Sequence, residues 1–435
     1  MKITFLGAGS TIFAKNVLGD VLLTPSLQDV EICLYDIDKQ RVQDSELMLK
    51  TLNHRLNADR ASIMSLCGEQ RRKEALRNAD FVVNAIQVGG YEPSTKIDFE
   101  VPARYGLRQT IGDTLGVGGI FRGIRSLQVM LPIVHEMEDV CPEALLLNYA
   151  NPMSIITGAI IKASDITTVG LCHSVQVCVP RLLEYVGLDV HPQEVQWHIA
   201  GINHMAWLLK ILHEGKDLYP EIKRRASELK DHPDQVRFEL MRRFGYYVTE
   251  SSEHNAEYTP YWIKSAYPEL IQRYKIPLDE YPRRCKQQIE EWRHQREELV
   301  ESGTVDHTRS YEYAAGIMDS VVTGATRRIH ANVKNHGLIP NLSPDSIVEV
   351  PCLVDRNGVQ GVYSGPLPTQ CAALNSAAVN VQLMTIEAAM TGSREALYQA
   401  ALLDPHTAAE LSIDHIISLC DDMLEAHENY CRIIK

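Results

Sequence analysis

Cys172 and His173 in GLCHSVQ, with His204 in AGINHMAW, are the residues of this chain whose types combine most readily into chemistry. A thiolate and an imidazole are donors for a borderline or soft divalent metal. Cys172 and His204 are 32 residues apart (204 − 172), which fits no compact zinc-finger spacing, so a metal held by them would be assembled by the fold. Two protein ligands leave open positions on an ion, and that suits substrate binding and Lewis-acid catalysis better than a structural role. The alternative is a buried, inert Cys172 and a His204 satisfied inside a core, and spacing alone leaves both open.

The elements that would position these residues follow from the apolar patterning. Lys2–Leu6 predicts a short strand, followed by the turn Gly7-Ala8-Gly9-Ser10-Thr11 and a helix from Ile12 towards Leu22. That is the order of a dinucleotide site: Gly7 for the tight turn, Gly9 for backbone approach to a pyrophosphate, and free amides with a positive dipole end at the helix start. Ile12 stands where the third glycine of the fingerprint would be. A second strand over Glu31–Leu34 ends in Tyr35-Asp36-Ile37-Asp38; Asp36 suits the adenosine ribose hydroxyls and would repel a 2′-phosphate, which favours NAD over NADP. Asp38 is assigned instead to capping the next helix. A third strand, Phe81–Ile86, ends in Gln87-Val88-Gly89-Gly90, and Asn84 and Gln87 join Ser10 and Thr11 as candidate cofactor contacts. A further strand, Ala144–Leu147, leads into Asn148-Tyr149-Ala150-Asn151-Pro152. Strands near 167–171 and through HIAGINHMAWLL then deliver Cys172 and His204 to the same crevice edge.

The expected fold class is therefore α/β, with an N-terminal Rossmann-type doubly wound sheet over 1–165 and an α+β C-terminal domain over 166–435. The chain has 435 residues with 45% hydrophobic and 23% charged content, ample for a buried core. Its 43 basic against 56 acidic residues, a formal charge of −13, argue against nucleic acid as a partner. The start MKITFLGAGSTIFA has the look of a signal peptide, but the GAGST turn interrupts it after Leu6, and no other stretch reads as membrane-spanning. Ten scattered cysteines without a disulfide-scaffold spacing predict a reducing, cytoplasmic setting.

The segments GAGSTIFAKNVLGD, NAIQVGGYEPST, YGLRQTIGDTLGVGGIFR, NYANPM, GLCHSVQ, AGINHMAWL, GYYVTESSEHNAEYTPY and PLDEYPRRC together resemble the family 4 glycoside hydrolases, most closely the α-galactosidases of the melibiase type. The resemblance runs from about residue 2 to about residue 411. It implies a fold like lactate and malate dehydrogenases, a requirement for NAD and a divalent metal, usually Mn2+, and activity under reducing conditions. NAD-dependent family 4 is a known exception to the two-carboxylate glycosidase scheme. The implied reaction oxidises the sugar at C3 with hydride passing to NAD, removes the acidified C2 proton, expels the aglycone from C1, adds water and returns the hydride.

Residue by residue, the resemblance implies Cys172 and His204 as metal ligands. It implies Tyr258 as the base at C2, with Tyr261 as the alternative. A phenol is a poor base near neutral pH, so it would need a cation beside it. His173 stands where phospho-sugar members commonly carry an Asp assigned as general acid, and its imidazolium is a candidate proton donor to the leaving oxygen. Asn151, Asp113 and Arg284 are implied substrate contacts, with Arg283 as the other possible register, and the Gly116–Gly119 segment resembles a loop lying against nicotinamide and sugar.

Tyr91-Glu92-Pro93-Ser94 is a poor phosphate cradle, so a neutral sugar is expected; that it is a small oligosaccharide with a terminal α-galactose is implied by the resemblance alone. An α-galacturonide or α-glucoside, an ordinary NAD-dependent sugar or hydroxy-acid dehydrogenase and a non-catalytic nucleotide sensor are the competing readings. A homo-oligomer, dimer or tetramer, without nucleic-acid or membrane partners, completes the expectation.

Overall fold

The computed structural model describes residues 1–302 and 305–435. Six strands form a parallel half-sheet: β1 (Lys2–Leu6), β2 (Glu31–Asp36), β3 (Ser62–Cys67), β4 (Phe81–Asn84), β5 (Leu145–Asn148) and β6 (Thr168–Gly170). Their spatial order is 3-2-1-4-5-6, the doubly wound order of dinucleotide-binding folds, whose ligand crevice opens at the strand C-termini where the order reverses. Their inner strands read as unbroken apolar runs because helices cover both faces. The sequence reading overlooked β3: it lies at the sheet edge and its exposed Ser62 and Met64 alternate with buried residues, so it lacks the continuous apolar signal.

The sheet does not end at β6. Strand β11 (Arg327–Lys334) pairs antiparallel with β6 through Asn332 and Gly170, and β12 (Ile347–Asp355), β7 (Val195–Ile202), β8 (Met205–His213) and β10 (Tyr247–Val248) continue outward, with β13 (Gly358–Gly361) on β12 and β9 (Lys216–Asp217) on β8. A boundary at 165/166 therefore falls just before the last parallel strand, inside one continuous 13-stranded sheet. One apolar cluster runs beneath both halves, from Ile3, Phe5 and Ile32 to Trp207, Val348 and Val350. The stretch HIAGINHMAWLL is a hairpin, with Ile202 opposite Met205, so His204 sits in a two-residue turn and not within a strand.

Helix Gly116–Val140 is by length and composition apolar enough to cross a bilayer, contrary to the expectation that no such stretch exists, but 78% of its most apolar window is buried in the molecule. It is a core helix, packed against helices Met153–Ala163 and Thr369–Thr391. Its Gly119 has no room for a side chain, since a Cβ there would lie 2.5 Å from the Thr114 backbone. The same helix carries Arg125, which forks onto the Asp98 carboxylate at 2.9 and 2.6 Å, while His427 Nε2 lies 2.9 Å from Asp98 Oδ1. Arg125 and His427 are fully buried, so this triad fastens the C-terminal segment to the core. Removing one partner of a buried pair leaves the other charge without compensation, so Arg125→Met is expected to cost about 3–5 kcal/mol, read as a lowered denaturant midpoint at unchanged slope.

Candidate active site

At the switch point, Gly7 adopts φ +83°, and a Cβ there would lie 2.7 Å from the Ala85 backbone just beyond β4. Only glycine allows the β1 turn to pass so close to β4. The Gly9 amide donates to Asp36 Oδ2 at 2.7 Å and the Asp38 amide to Oδ1 at 2.9 Å, so the carboxylate is fixed at the end of β2 with lone pairs left for ligand hydroxyls. Asp38 caps helix Lys39–Asn57 by accepting from the Arg41 amide at 3.0 Å. Ser10 is exposed at the N-cap of helix Thr11–Leu22 with no side-chain cap bond, and Gln87 is exposed beyond β4, so both are open to a ligand.

Two other predicted cofactor contacts are committed elsewhere. Thr11 is buried, its hydroxyl accepting from Ser45 at 3.0 Å beneath the turn. Asn84 is fully buried; its Nδ2 donates to Asn148 Oδ1 and its Oδ1 accepts from the Ile86 amide. Both brace the crevice floor, and neither presents a free polar group to it.

Cys172, just past β6, and His204, in the β7–β8 turn, come together as the spacing required of the fold. With Glu250, beyond β10, they place one S, one N and one carboxylate O within 4.8 Å of one another. Residues from three separate strand ends thus converge on one point. His204 and Glu250 both hold left-handed backbone, φ +62° and +70°, a conformation costly for residues with a Cβ and concentrated at functional sites. His204 Nδ1 faces the Tyr258 hydroxyl at 3.2 Å and the Thr114 hydroxyl at 3.3 Å, which leaves Nε2, 3.9 Å from Glu250 Oε2, towards the cluster. This mixed soft and hard donor set, with ring and carboxylate oriented by neighbours, fits a divalent first-row ion.

The electrostatics are coupled. Burial would raise the Glu250 carboxyl, but His204, His254 and His173 outweigh it and hold the group at about 2. Burial, then Glu349 and Glu250, push the Cys172 thiol well above its usual range. Burial, then Asp113 and Glu257, do the same to Tyr258, which is 2% exposed. Asp113 is also buried, yet His254, Arg122 and His204 keep its carboxyl below the usual value; it accepts from Thr114 Oγ1 at 2.7 Å and Asn151 Nδ2 at 3.3 Å. Asn151 Oδ1 is buried without a partner, as are both polar atoms of Asn203 beside His204.

His173 lies at the edge of this group. Its side chain is 58% exposed at the rim, 3.9 Å from Glu312 Oε1. Tyr261 is also exposed, with its ring beside those of Phe244 and Trp262. Arg284 bonds Glu280 at 2.7 Å and Glu253, next to His254, at 3.1 Å, whereas Arg283 spends its fork on Glu280 and is largely solvent-facing; Arg284 is thus the one nearer the site.

Sequence reasoning missed several participants. Glu250, His254 and Glu257 lie in the same ESSEHNAEY stretch as Tyr258, and that density of ionisable residues was the available signal. Buried Arg122, which donates to the Asn151 carbonyl at 3.1 Å and to the Tyr281 hydroxyl at 3.0 Å, gave none, because it lies within an otherwise apolar helix.

Residues 2–188 match the model for family 4 glycosyl hydrolases and residues 199–407 the model for the family 4 C-terminal domain. An α-galactosidase of Bacillus subtilis (strain 168) is 56% identical over 431 residues, covering 99% of this chain and 98% of that protein. The fold is similar to that of a 6-phospho-α-glucosidase from gut microorganisms solved in complex with NAD and Mn2+, with TM-score 0.82, 22% identity and coverage of 99% and 98%. It is also similar to a malate dehydrogenase of Plasmodium falciparum, with TM-score 0.53, 14% identity and coverage of 91% and 99%. A doubly wound nucleotide sheet carrying a cysteine–histidine–carboxylate cluster at its crevice, matched by both models over nearly its whole length, belongs to family 4 of the glycosyl hydrolases.

Proposed function

We propose that this family 4 member is an NAD- and Mn2+-dependent α-galactosidase acting on small oligosaccharides that end in α-galactose. The observation that carries the reading is the convergence of Cys172, His204 and Glu250 within 4.8 Å beside the Tyr258 hydroxyl, in a chain 56% identical to a bacterial α-galactosidase. When bound, NAD supplies a hydride acceptor for the sugar C3 and the metal a Lewis acid whose charge acidifies sugar hydroxyls and the neighbouring phenol.

The side chains divide the remaining work. Cys172, His204 and Glu250 hold the ion, and Gly7, Gly9 and Asp36 hold the nucleotide. Tyr258 takes the C2 proton; its burial among acidic groups means that it needs the cation's charge to act near neutral pH. Asp113, kept ionised, and the unpartnered amide atoms of Asn151 and Asn203 accept and donate to sugar hydroxyls. His173, at the rim beside Glu312, donates a proton to the departing glycosidic oxygen.

A neutral sugar is favoured over a uronide because Arg283 and Arg284 are already paired with glutamates, leaving neither free for a substrate carboxylate. It is favoured over a phospho-sugar because Lys96, the cation nearest the Tyr91–Ser94 loop in sequence, lies 3.7 Å from Glu92. A cytoplasmic homo-oligomer is proposed with this function, and ten free cysteines suit a reducing compartment.

Hydrolysis of p-nitrophenyl α-galactoside is expected to require NAD, Mn2+ and a thiol, each omitted in turn, with no net NADH; activity that persists without NAD would overturn the reading. Tyr258→Phe is expected to lower kcat about a hundredfold or more while Mn2+ affinity, measured by titration calorimetry, stays within a few-fold. Because the Cys172 thiol is raised and neutral in the free protein, ion uptake must expel its proton, so Mn2+ affinity should rise with pH, by about tenfold per unit across the neutral range. Cys172→Ser should flatten that slope as well as weaken binding, and a slope that survives the substitution would assign the proton elsewhere.

A further inference from the structure

The outer half of the sheet carries an open cleft of about 760 Å³, bordered by Tyr313 and separate from the Cys172–His204–Glu250 cluster. Strand β7 pairs with β12 at Gly201–Glu349, and further along β12 carries Pro351, which has no N–H to offer a neighbour. The cavity opens beside that gap. Trp197 and His198 of β7, Lys210 of β8, Arg328 and His330 of β11, and Gln176 of the helix Ser174–Tyr185 face it.

The lining carries charge of one sign. Lys210 lies opposite His198 in the β7–β8 register, Arg328 enters from β11, and no aspartate or glutamate faces the cavity. Neither cation has a carboxylate partner among the described residues, in a chain where acids outnumber bases by 13. His330 is 3% exposed and stacks on Trp197 with ring centroids 5.1 Å apart, and its Nε2 has no hydrogen-bond partner. Burial, with Arg328 and His198 close by, depresses this imidazole to about 3, as expected where positive groups crowd without a counter-ion.

We propose that this cavity is a second binding site, distinct from the sugar site, for a small phosphate-bearing metabolite. The Arg328 guanidinium and the Lys210 ammonium, neither held by a carboxylate, meet the phosphate, and His330 stacked on Trp197 supports the floor beneath them. The volume is far larger than a bare phosphate and lies within the roughly 300–1,000 Å³ of small-molecule sites, so the ligand carries an organic body, for which the Trp197 ring and the Gln176 amide provide an apolar surface and a hydrogen-bonding group. The site shares no residue with the Cys172 cluster and stands whether or not the α-galactoside reading does.

The test is titration calorimetry of the NAD-saturated full-length protein with inorganic phosphate and, separately, glucose 6-phosphate. A saturable site is expected that weakens about tenfold or more in the double variant Lys210→Ala/Arg328→Ala, whose residues are exposed on strands, and is unchanged in Arg71→Ala at the opposite side of the molecule. Tighter binding of the sugar phosphate than of inorganic phosphate is expected, and equal binding overturns the assignment of an organic body to the ligand. The proposal is overturned if neither probe binds saturably, or if the double variant binds as the parent does, which would place the probe in the sugar crevice. It is equally overturned if the double variant changes only the oligomeric state measured by light scattering, which would make the cavity an interface between copies.

Discussion

The carboxylate of Glu257 accepts hydrogen bonds from three consecutive backbone amides, Thr110 at 2.9 Å and Ile111 at 3.2 Å through one oxygen and Gly112 at 2.8 Å through the other. Burial raises this group and the amides work against that, leaving it at about 7. The bonds join two pieces of chain far apart in sequence: the loop that leads to Asp113 and Thr114, and the short helix that ends in Tyr258. Thr114 and Tyr258 in turn flank the same nitrogen of His204. The relative positions of the candidate sugar-binding carboxylate Asp113, the candidate base Tyr258 and the candidate metal ligand His204 thus depend on one acid that holds the two segments together.

Around that fixed frame the site tolerates features that would be liabilities elsewhere. His204 and Glu250 occupy left-handed backbone, and Asn151 and Asn203 hold buried atoms without partners. Each costs free energy. The hairpin β7–β8 and the ladder from β8 to β10 over-determine both turns, so the surrounding sheet bears the strain. Ligand atoms that satisfy the amides and a cation that balances Glu250 would return that cost on binding.

How much of this was legible in the sequence depended on whether a residue's role was local. Gly7, Asp36 and Asp38 act within a few residues of a strand end, so motif order located them, and Cys172 and His204 were chemically distinctive enough to be paired across 32 positions. Roles created by three-dimensional satisfaction were not legible. Thr11 and Asn84 have the right chemistry at the right strand ends, but their polar atoms are consumed by Ser45, Asn148 and Ile86, which no pattern along the chain discloses. Arg122 shows the converse, a buried guanidinium hidden in an apolar helix. Strand β3 escaped because edge strands lack an apolar run, and the continuity of the sheet escaped because the β6–β11 junction joins residues 162 positions apart (332 − 170).

That junction bears on how the molecule comes apart as well as on how it is built. A nucleotide module and a sugar module joined by a flexible linker would melt separately and close on a ligand by hinging. Here hydrogen-bonded strands cross the boundary and the largest apolar cluster underlies both sides, although each half also has a smaller cluster of its own. The distance between the nucleotide turn and the Cys172–His204–Glu250 cluster is thus set by the sheet itself and not by a linker.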